Sequence, residues 1–129
     1  MSKIIGLSGS LRKKSYNTAL LRAAASLMPD GSELLIRSIR GIPLYDGYIE
    51  DTEGVPPAAA ELKNAIASAD GLLLVTPEYN YSIPGVFKNA IDWLSRPPAD
   101  SARVWAGKPV ALIGASPSGF GANLAQEAW

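Results

Sequence analysis

The fold is decided near the start of the chain by a short apolar run that ends in turn-forming residues, Lys3-Ile4-Ile5-Gly6-Leu7-Ser8. The loop Gly9-Ser10-Leu11-Arg12-Lys13-Lys14-Ser15-Tyr16 follows it, and then an Ala- and Leu-rich segment from Asn17 to Leu27. The apolar run is typical of a buried strand, and the Ala/Leu segment carries the one-sided apolar pattern of a helix. Pro29-Asp30-Gly31 ends that helix. The stretch therefore predicts a unit of strand, loop, helix and turn.

The same alternation continues along the rest of the chain. Three further strands are predicted, at Glu33 to Ile39, Leu72 to Val75 and Gly107 to Ala115. Helices are predicted from Pro56-Pro57 to Ala67, from Gly85 to Ser95, and after the loop that ends at Gly121. Residues 41–57 and the Pro- and Arg-containing stretch before Gly107 are predicted to be loops. Alternating strands and helices form parallel sheets that place ligands outside the carboxyl ends of the strands. We therefore expect one α/β domain, residues 1–129, with a doubly wound parallel sheet.

The composition excludes several classes of function. The chain has 129 residues with no His and no Cys, so it cannot form a Ser-His-Asp triad, a cysteine nucleophile or a zinc site of the usual type, and we expect no metal. Twelve basic and twelve acidic residues balance, which argues against a nucleic-acid partner. Because neither a charged leader nor an apolar run of bilayer length is found, we expect a cytoplasmic protein with no membrane partner. A bound cofactor is then the expected source of any redox chemistry.

The loop after the first strand has the chemistry of a phosphate site. It matches neither the Gly-x-Gly-x-x-Gly pattern nor the Gly-Lys-Ser/Thr ending of a P-loop. It offers instead backbone N–H groups, a helix N-terminus and polar side chains that suit a terminal monophosphate: Ser8, Ser10, Arg12, Ser15 and Asn17. The alternative is that Ser15 and Asn17 only cap the helix.

The loop after the third strand, residues 76–85, is suited to a flat ring. Pro77 and Pro84 stiffen its backbone. The side chains between them offer aromatic faces and hydrogen-bonding groups: Glu78, Tyr79, Asn80 and Tyr81. An ordinary proline-bounded turn with exposed tyrosines is the alternative. Taken with the first loop, this loop favours one ligand, a phosphorylated aromatic cofactor that spans two neighbouring strand ends.

A third loop, Ser116-Pro117-Ser118-Gly119-Phe120-Gly121, follows the fourth strand and is expected at the same edge of the sheet. Its two glycines allow a ring edge to approach the backbone closely. The three tryptophans, Trp93, Trp105 and Trp129, are interpreted as core or interface residues and not as ring-stacking residues.

Four segments carry a strong resemblance to a known family. They are Gly-Ser-Leu-Arg-Lys-Lys-Ser-Tyr-Asn at 9–17, Ala-Asp-Gly at 69–71, Thr-Pro-Glu-Tyr-Asn-Tyr-Ser-Ile-Pro-Gly-Val-Phe-Lys-Asn-Ala-Ile-Asp-Trp-Leu-Ser-Arg at 76–96 and Gly-Lys-Pro-Val at 107–110. In these segments the chain resembles the NAD(P)H-dependent FMN reductases, which include quinone, chromate and azo reductases. The resemblance implies a flavodoxin-like fold with strand order 2-1-3-4, in which the fifth strand of the family is absent from this sequence.

The same resemblance implies where FMN binds. The phosphate would be held by Ser10, Arg12, Ser15 and Asn17. The isoalloxazine ring would be lined by Pro77, Glu78, Tyr79 and Asn80, with Ser82 and Ile83 nearby, and approached from its other side by Ser116, Ser118 and Gly119. No catalytic side chain is implied, since the cofactor carries the chemistry.

The resemblance also implies an enzymatic reaction. A nicotinamide, NADH or NADPH, gives a hydride to the flavin, and two electrons then pass to a quinone or another small electron acceptor. The sequence does not distinguish NADH from NADPH, because it shows no recognisable reader of a 2′-phosphate. Family members usually form dimers or tetramers, so a homodimer or homotetramer is expected.

Family members are typically longer than this chain, with a further helix and a fifth strand. We therefore expect the sequence to be part of a longer protein, or else a shortened form that self-associates over its exposed fourth strand. Two other functions stay open on the sequence. One is a non-catalytic FMN-binding or electron-carrier module, and the other is an inactive fragment that keeps only the core.

Overall fold

The computed structural model describes all residues from Met1 to Trp129 and contains four strands and six helices. The strands are β1 (Ser2–Ser8), β2 (Ser32–Arg37), β3 (Gly71–Val75) and β4 (Val110–Ile113). The helices are α1 (Tyr16–Ser26), α2 (Gly47–Glu53), α3 (Pro57–Ala67), α4 (Gly85–Leu94), α5 (Pro98–Trp105) and α6 (Asn123–Ala128). None of these helices combines the length and the apolarity that crossing a membrane requires.

The four strands form one parallel sheet in the order β2-β1-β3-β4. This confirms the predicted doubly wound sheet and its strand order. One row across the sheet runs through Arg37, Leu7, Leu74 and Leu112, so all four carboxyl ends lie along the same edge. β2 lies on one side of β1 in the sheet, and β3 and then β4 lie on its other side. The point between β1 and β3 is therefore the switch point at which ligands of such sheets bind.

The core packs one face of β1 and β3 against α3, α4 and α5. Apolar residues at alternate positions of the two strands point into it, as a period of two requires. The central members are Ile5, Leu7, Leu72, Leu74, Ile66, Phe87, Leu94 and Val104. Trp93 is fully buried, while Trp105 and Trp129 pack against the cluster from its edge. The interpretation of the tryptophans as packing residues is thereby confirmed.

Two of the helices lie where the sequence predicts loops. The first, α2, is capped by Asp46, whose Oδ1 accepts a hydrogen bond from the N–H of Tyr48 at 2.9 Å. It is held to the end of α4 by an ion pair, Glu50 Oε2 to Arg96 Nε at 2.8 Å. A helix of seven residues is unstable alone, so this tertiary contact decides its presence.

The second unexpected helix, α5, is anchored by the largely buried Lys63 of α3. Lys63 Nζ lies 2.6 Å from Asp100 Oδ2 and also donates to the carbonyl of Arg96. Hydrogen bonds from Arg103 and then from Lys63 hold the pKa of the Asp100 carboxyl well below its usual range. The carboxylate is therefore ionised wherever the protein is folded near neutral pH, and it keeps the buried ammonium group paired.

Two strands are shorter than the sequence predicts. β2 ends at Arg37 and not at Ile39, because the pairing of β2 with β1 stops at Leu7 and Arg37. β4 is limited to Val110–Ile113, since only the stretch from Leu72 to Val75 of β3 pairs with it. β4 forms one edge of the sheet, where Val110 is half exposed.

Candidate functional site

The loops that follow β1, β3 and β4 meet around one cavity of about 130 Å³ at the switch point of the sheet. We call it the loop cavity. It brings together most of the predicted site residues: Ser10, Arg12, Ser15, Asn17, Pro77, Glu78, Tyr79 and Ser116. Three residues that sequence reasoning missed also line it, Tyr16, Ala115 and Pro117.

Hydroxyl groups fold the loop after β1. Ser8 Oγ accepts from the N–H of Ser10 at 3.3 Å, and Ser10 Oγ accepts from the N–H of Arg12 at 3.2 Å. Ser15 Oγ accepts from the N–H of Thr18 at 3.2 Å, which makes it the N-cap of α1. Ser15 therefore does cap α1. It is compatible with an anion site, because the cap turns the N-terminus of α1 toward the cavity.

Asn17 ties the first loop to the third. Its Nδ2 donates to the carbonyl of Ala115 at 3.0 Å, and its Oδ1 accepts from the N–H of Ala115 at 2.9 Å. Both polar atoms of the amide are thus engaged, and the side chain is buried. Asn17 therefore does not cap α1. It positions the loop after β4 beside the loop after β1, and one N–H of its amide makes no hydrogen bond within the protein.

The cation of the loop cavity has no counter-charge within the protein. Arg12 is exposed and takes part in none of the four ion pairs, which join Lys63, Lys88, Arg96 and Arg103 to carboxylates. The only acidic residue that lines the cavity is Glu78. An anion at the N-terminus of α1 would thus meet a free guanidinium group.

The loop after β3 is a tight hairpin. Tyr79 and Ser82 exchange two backbone hydrogen bonds of 3.1 Å, and the two residues between them have positive φ, 50° at Asn80 and 63° at Tyr81. These values match a turn of type I′, which asparagine accepts readily at its first position. Tyrosine is an unusual occupant of the second position, because its Cβ crowds the backbone there.

This strain leads to a prediction at Tyr81. Tyr81→Gly should raise the free energy of unfolding by about 1 kcal/mol, since glycine adopts positive φ without steric cost and the 78% exposed ring loses little packing. Tyr81→Ala is the matched control, because it removes the ring and keeps the Cβ. Urea unfolding of both variants tests the idea, and equal stability of the glycine and alanine variants would contradict it.

Glu78 has a structural partner. Its Oε1 accepts a hydrogen bond from the N–H of Ala125 at 3.0 Å, in the first turn of α6. The residue before α6, Ala122, has no side chain that could cap the helix, so the carboxylate supplies the missing acceptor. Glu78 thereby joins the loop after β3 to the last helix at the rim of the loop cavity.

A wider hollow of about 490 Å³ adjoins the loop cavity and shares Glu78 with it. We call it the aromatic hollow. It is lined by Glu78, Tyr81, Ser118, Phe120, Asn123 and Leu124. Among the predicted residues, Asn80, Ser82, Ile83 and Gly119 line neither space, and Ile83 packs against the core. The residues predicted to hold the phosphate thus lie together with Pro77, Glu78, Tyr79 and Ser116. The other residues predicted to contact the ring lie in the aromatic hollow, as Ser118 does, or line neither space.

The missed residues had a weak signal in the sequence. Tyr16 and Phe120 are large aromatic residues within loops already singled out, and both are exposed, at 56% and 85%. An aromatic side chain beside predicted ligand residues is a reasonable candidate for contact with a ring. Ala115 could not have been identified, because it enters the cavity through its backbone and its pairing with Asn17.

Known proteins resemble this chain along nearly its whole length. A family model for NADPH-dependent FMN reductases matches residues 2–129. An NAD(P)H-dependent FMN reductase of Pseudomonas aeruginosa is 50% identical over 124 residues, which are 96% of this chain and 65% of that enzyme. A 2-hydroxy-1,4-benzoquinone reductase of a Burkholderia species is 50% identical over 125 residues, which cover 96% of this chain and 66% of that enzyme. The chain thus spans slightly less than two thirds of the length of both relatives.

Among solved structures, the flavoenzyme NAD(P)H:(acceptor) oxidoreductase FerB from Paracoccus denitrificans superimposes with a TM-score of 0.88 and 38% identity. The match covers 98% of this chain and 68% of FerB. The strand order and the match of the family model along the chain agree with each other. The chain belongs to the family of NADPH-dependent FMN reductases.

Proposed function

We propose that this chain is the FMN-binding part of an NAD(P)H-dependent oxidoreductase that passes two electrons from a nicotinamide, through bound FMN, to a quinone-like or other small acceptor. The observation that carries the proposal is the loop cavity, where three loops separated in sequence meet at the switch point of the sheet. The similarity to enzymes named as FMN and benzoquinone reductases supports the choice of cofactor and acceptor.

The loop cavity suits the phosphate end of FMN. Its volume of about 130 Å³ is below the roughly 300 Å³ at which pockets for whole drug-sized ligands begin, so only part of the cofactor enters it. The unpaired Arg12, the hydroxyl of Ser10 and the N-terminus of α1 face the same space. Ser15 and Asn17 shape this cradle through their bonds to Thr18 and Ala115.

The ring would extend over the second loop toward the aromatic hollow. Pro77 is buried and rigid, and Tyr79 is half exposed beside it. We assign the ring contacts to Pro77, Glu78, Tyr79 and Asn80, with Ser82 and Ile83 nearby, and to Ser116, Ser118 and Gly119 from the third loop. Glu78 links the loop after β3 to α6 through the N–H of Ala125, so the loop that would support the ring is joined to one wall of the aromatic hollow.

The division of labour between cofactor and protein follows from the composition. When bound, FMN supplies the redox chemistry, since it accepts a hydride equivalent from a reduced nicotinamide and releases two electrons to an acceptor. The chain itself has no Cys and no His. Its own residues bind and orient: Arg12 neutralises the phosphate, the rigid Pro77 loop supports the ring, and the aromatic hollow admits a flat partner beside the ring.

We further propose that the protein works in the cytoplasm as a homodimer or homotetramer. Large apolar side chains are exposed around the aromatic hollow, with Tyr81 at 78% and Phe120 at 85%. Exposed apolar groups that cluster beside a ligand site favour coverage by another molecule. A second copy that closes the hollow would also shield the ring from water.

Absorbance spectroscopy tests the proposed function. We expect the purified chain, titrated with FMN, to shift the flavin spectrum with saturation, and we expect anaerobic addition of NADPH or NADH to bleach the bound flavin. Subsequent addition of a benzoquinone should restore the colour. FMN binding without bleaching by either nicotinamide would identify a carrier module instead, and no spectral change on titration would reject the assignment of the loop cavity.

A further inference from the structure

A second cavity, of about 320 Å³, opens between the loops that follow β1 and β2. We call it the basic cavity. Five cationic side chains line it: Arg12, Lys13, Arg22, Arg37 and Arg40. They come from four places in the chain, namely the loop after β1, the middle of α1, the end of β2 and the loop after it.

The charge in the basic cavity is uncompensated. The chain has twelve basic and twelve acidic residues, yet no carboxylate lines this cavity. None of its five cations, which are all exposed, takes part in an ion pair, whereas the exposed Lys88 and Arg103 elsewhere pair with Asp92 and Asp100. Glu61 lines a separate, neighbouring hollow together with Arg37 and Arg40 and forms no ion pair with either of them. Like charges that converge repel one another, and a bound anion would reduce that repulsion.

The cavity is built by contacts that join its walls. Arg40 Nη2 donates to the carbonyl of Leu11 at 2.7 Å and so ties the loop after β2 to the loop after β1. The N–H of Arg40 donates to Ser38 Oγ at 3.0 Å, which fixes the turn that carries the guanidinium group. Ser8 and Thr18 lie 2.9 Å apart, Oγ to Oγ1, among the lining residues. Arginines and hydroxyls at the carboxyl ends of parallel strands are the groups that bind phosphate.

We propose that the basic cavity is a second phosphate-binding site, which takes a phosphate monoester other than that of FMN. It shares Ser10 and Arg12 with the loop cavity, so the two sites are adjacent but distinct. The source of the ester is either the 2′-phosphate of NADPH or a free phosphate compound. Only the first of these sources rests on the proposed function.

Calorimetry with the FMN-saturated chain tests the second site, with adenosine 2′-monophosphate as the probe and adenosine as the uncharged control. The double variant Arg22→Gln/Arg37→Gln removes two cations that line the basic cavity but not the loop cavity. Lys14→Gln is the matched control, because Lys14 lies on the first loop and lines neither space. We expect the double variant to weaken the probe by roughly tenfold or more and the control to leave it unchanged.

Four outcomes decide the proposal and the source of the ester. A probe affinity that is the same in the double variant and the wild type overturns the proposal, and so does a parallel fall in FMN affinity, which would assign the basic cavity to FMN itself. A selective loss of NADPH affinity, with NADH unaffected, identifies the co-substrate as the source. Competition by inorganic phosphate without any NADPH effect identifies a free phosphate ligand. FMN titration alone reports on the proposed function, so its failure is separate from failure of this site.

Discussion

Gly9→Ala is expected to lower the free energy of unfolding by about 3 kcal/mol, the upper part of the usual range for overpacked cores. A Cβ at this position would lie 2.8 Å from Cε1 and 2.9 Å from Cγ of Phe87, and closer still to Cδ1. Phe87 is fully buried and packs edge-to-face on Trp129, with the ring centroids 4.9 Å apart. The backbone cannot move away either, because the N–H of Gly9 donates to the carbonyl of Val75 at 2.8 Å.

Urea unfolding measures this effect, with Gly85→Ala as the matched control. Gly85 begins α4 and has open space where a Cβ would stand, so alanine there should be neutral or slightly stabilising. The double variant Gly9→Ala/Phe87→Leu is a sharper test, because a smaller side chain at Phe87 should reduce the cost of the alanine. If Gly9→Ala costs no more than Gly85→Ala, the close contact between the first loop and the core is refuted.

Arg12→Ala is expected to weaken FMN binding by about 1.5–3 kcal/mol, or roughly tenfold to a hundredfold. Arg12 lines the loop cavity with Ser10 and Ser15 and has no carboxylate partner, so its charge is free for the phosphate. Because it is exposed, its removal should leave the stability of the fold nearly unchanged.

Flavin titration of Lys13→Ala and Lys14→Ala provides the controls. Both lysines follow Arg12 directly, and neither lines the loop cavity. The loss at Arg12 should also shrink as salt is added, since the contact is electrostatic. Equal FMN affinities for the three variants would show that the first loop attracts the phosphate only through its overall charge. Riboflavin, which lacks the phosphate, should bind the Arg12 variant as well as it binds the wild type.

Local patterns in the sequence were sufficient to predict the strands of the sheet. The short apolar runs of β1 and β3 predicted both strands, and Ile5, Leu7, Leu72 and Leu74 place one face of these strands in the core. The strand order came from the resemblance of the loops to a family and is confirmed. The two short helices α2 and α5 escaped prediction for a physical reason. Each depends on an ion pair to a distant segment, at Arg96 and at Lys63, and not on its own helical propensity.

The sequence by itself determined which loops are candidates for the site, because turn residues and polar side chains follow each apolar strand and strand ends are where parallel sheets bind ligands. Only the tertiary structure decided which side chains meet. Asn17 pairs with Ala115 across 98 positions of sequence, and Glu78 reaches α6 across 47. The basic cavity is the clearest case, since Arg22, Arg37 and Arg40 lie in separate segments that form no basic run, and only the pairing of β1 with β2 brings their charges to one place.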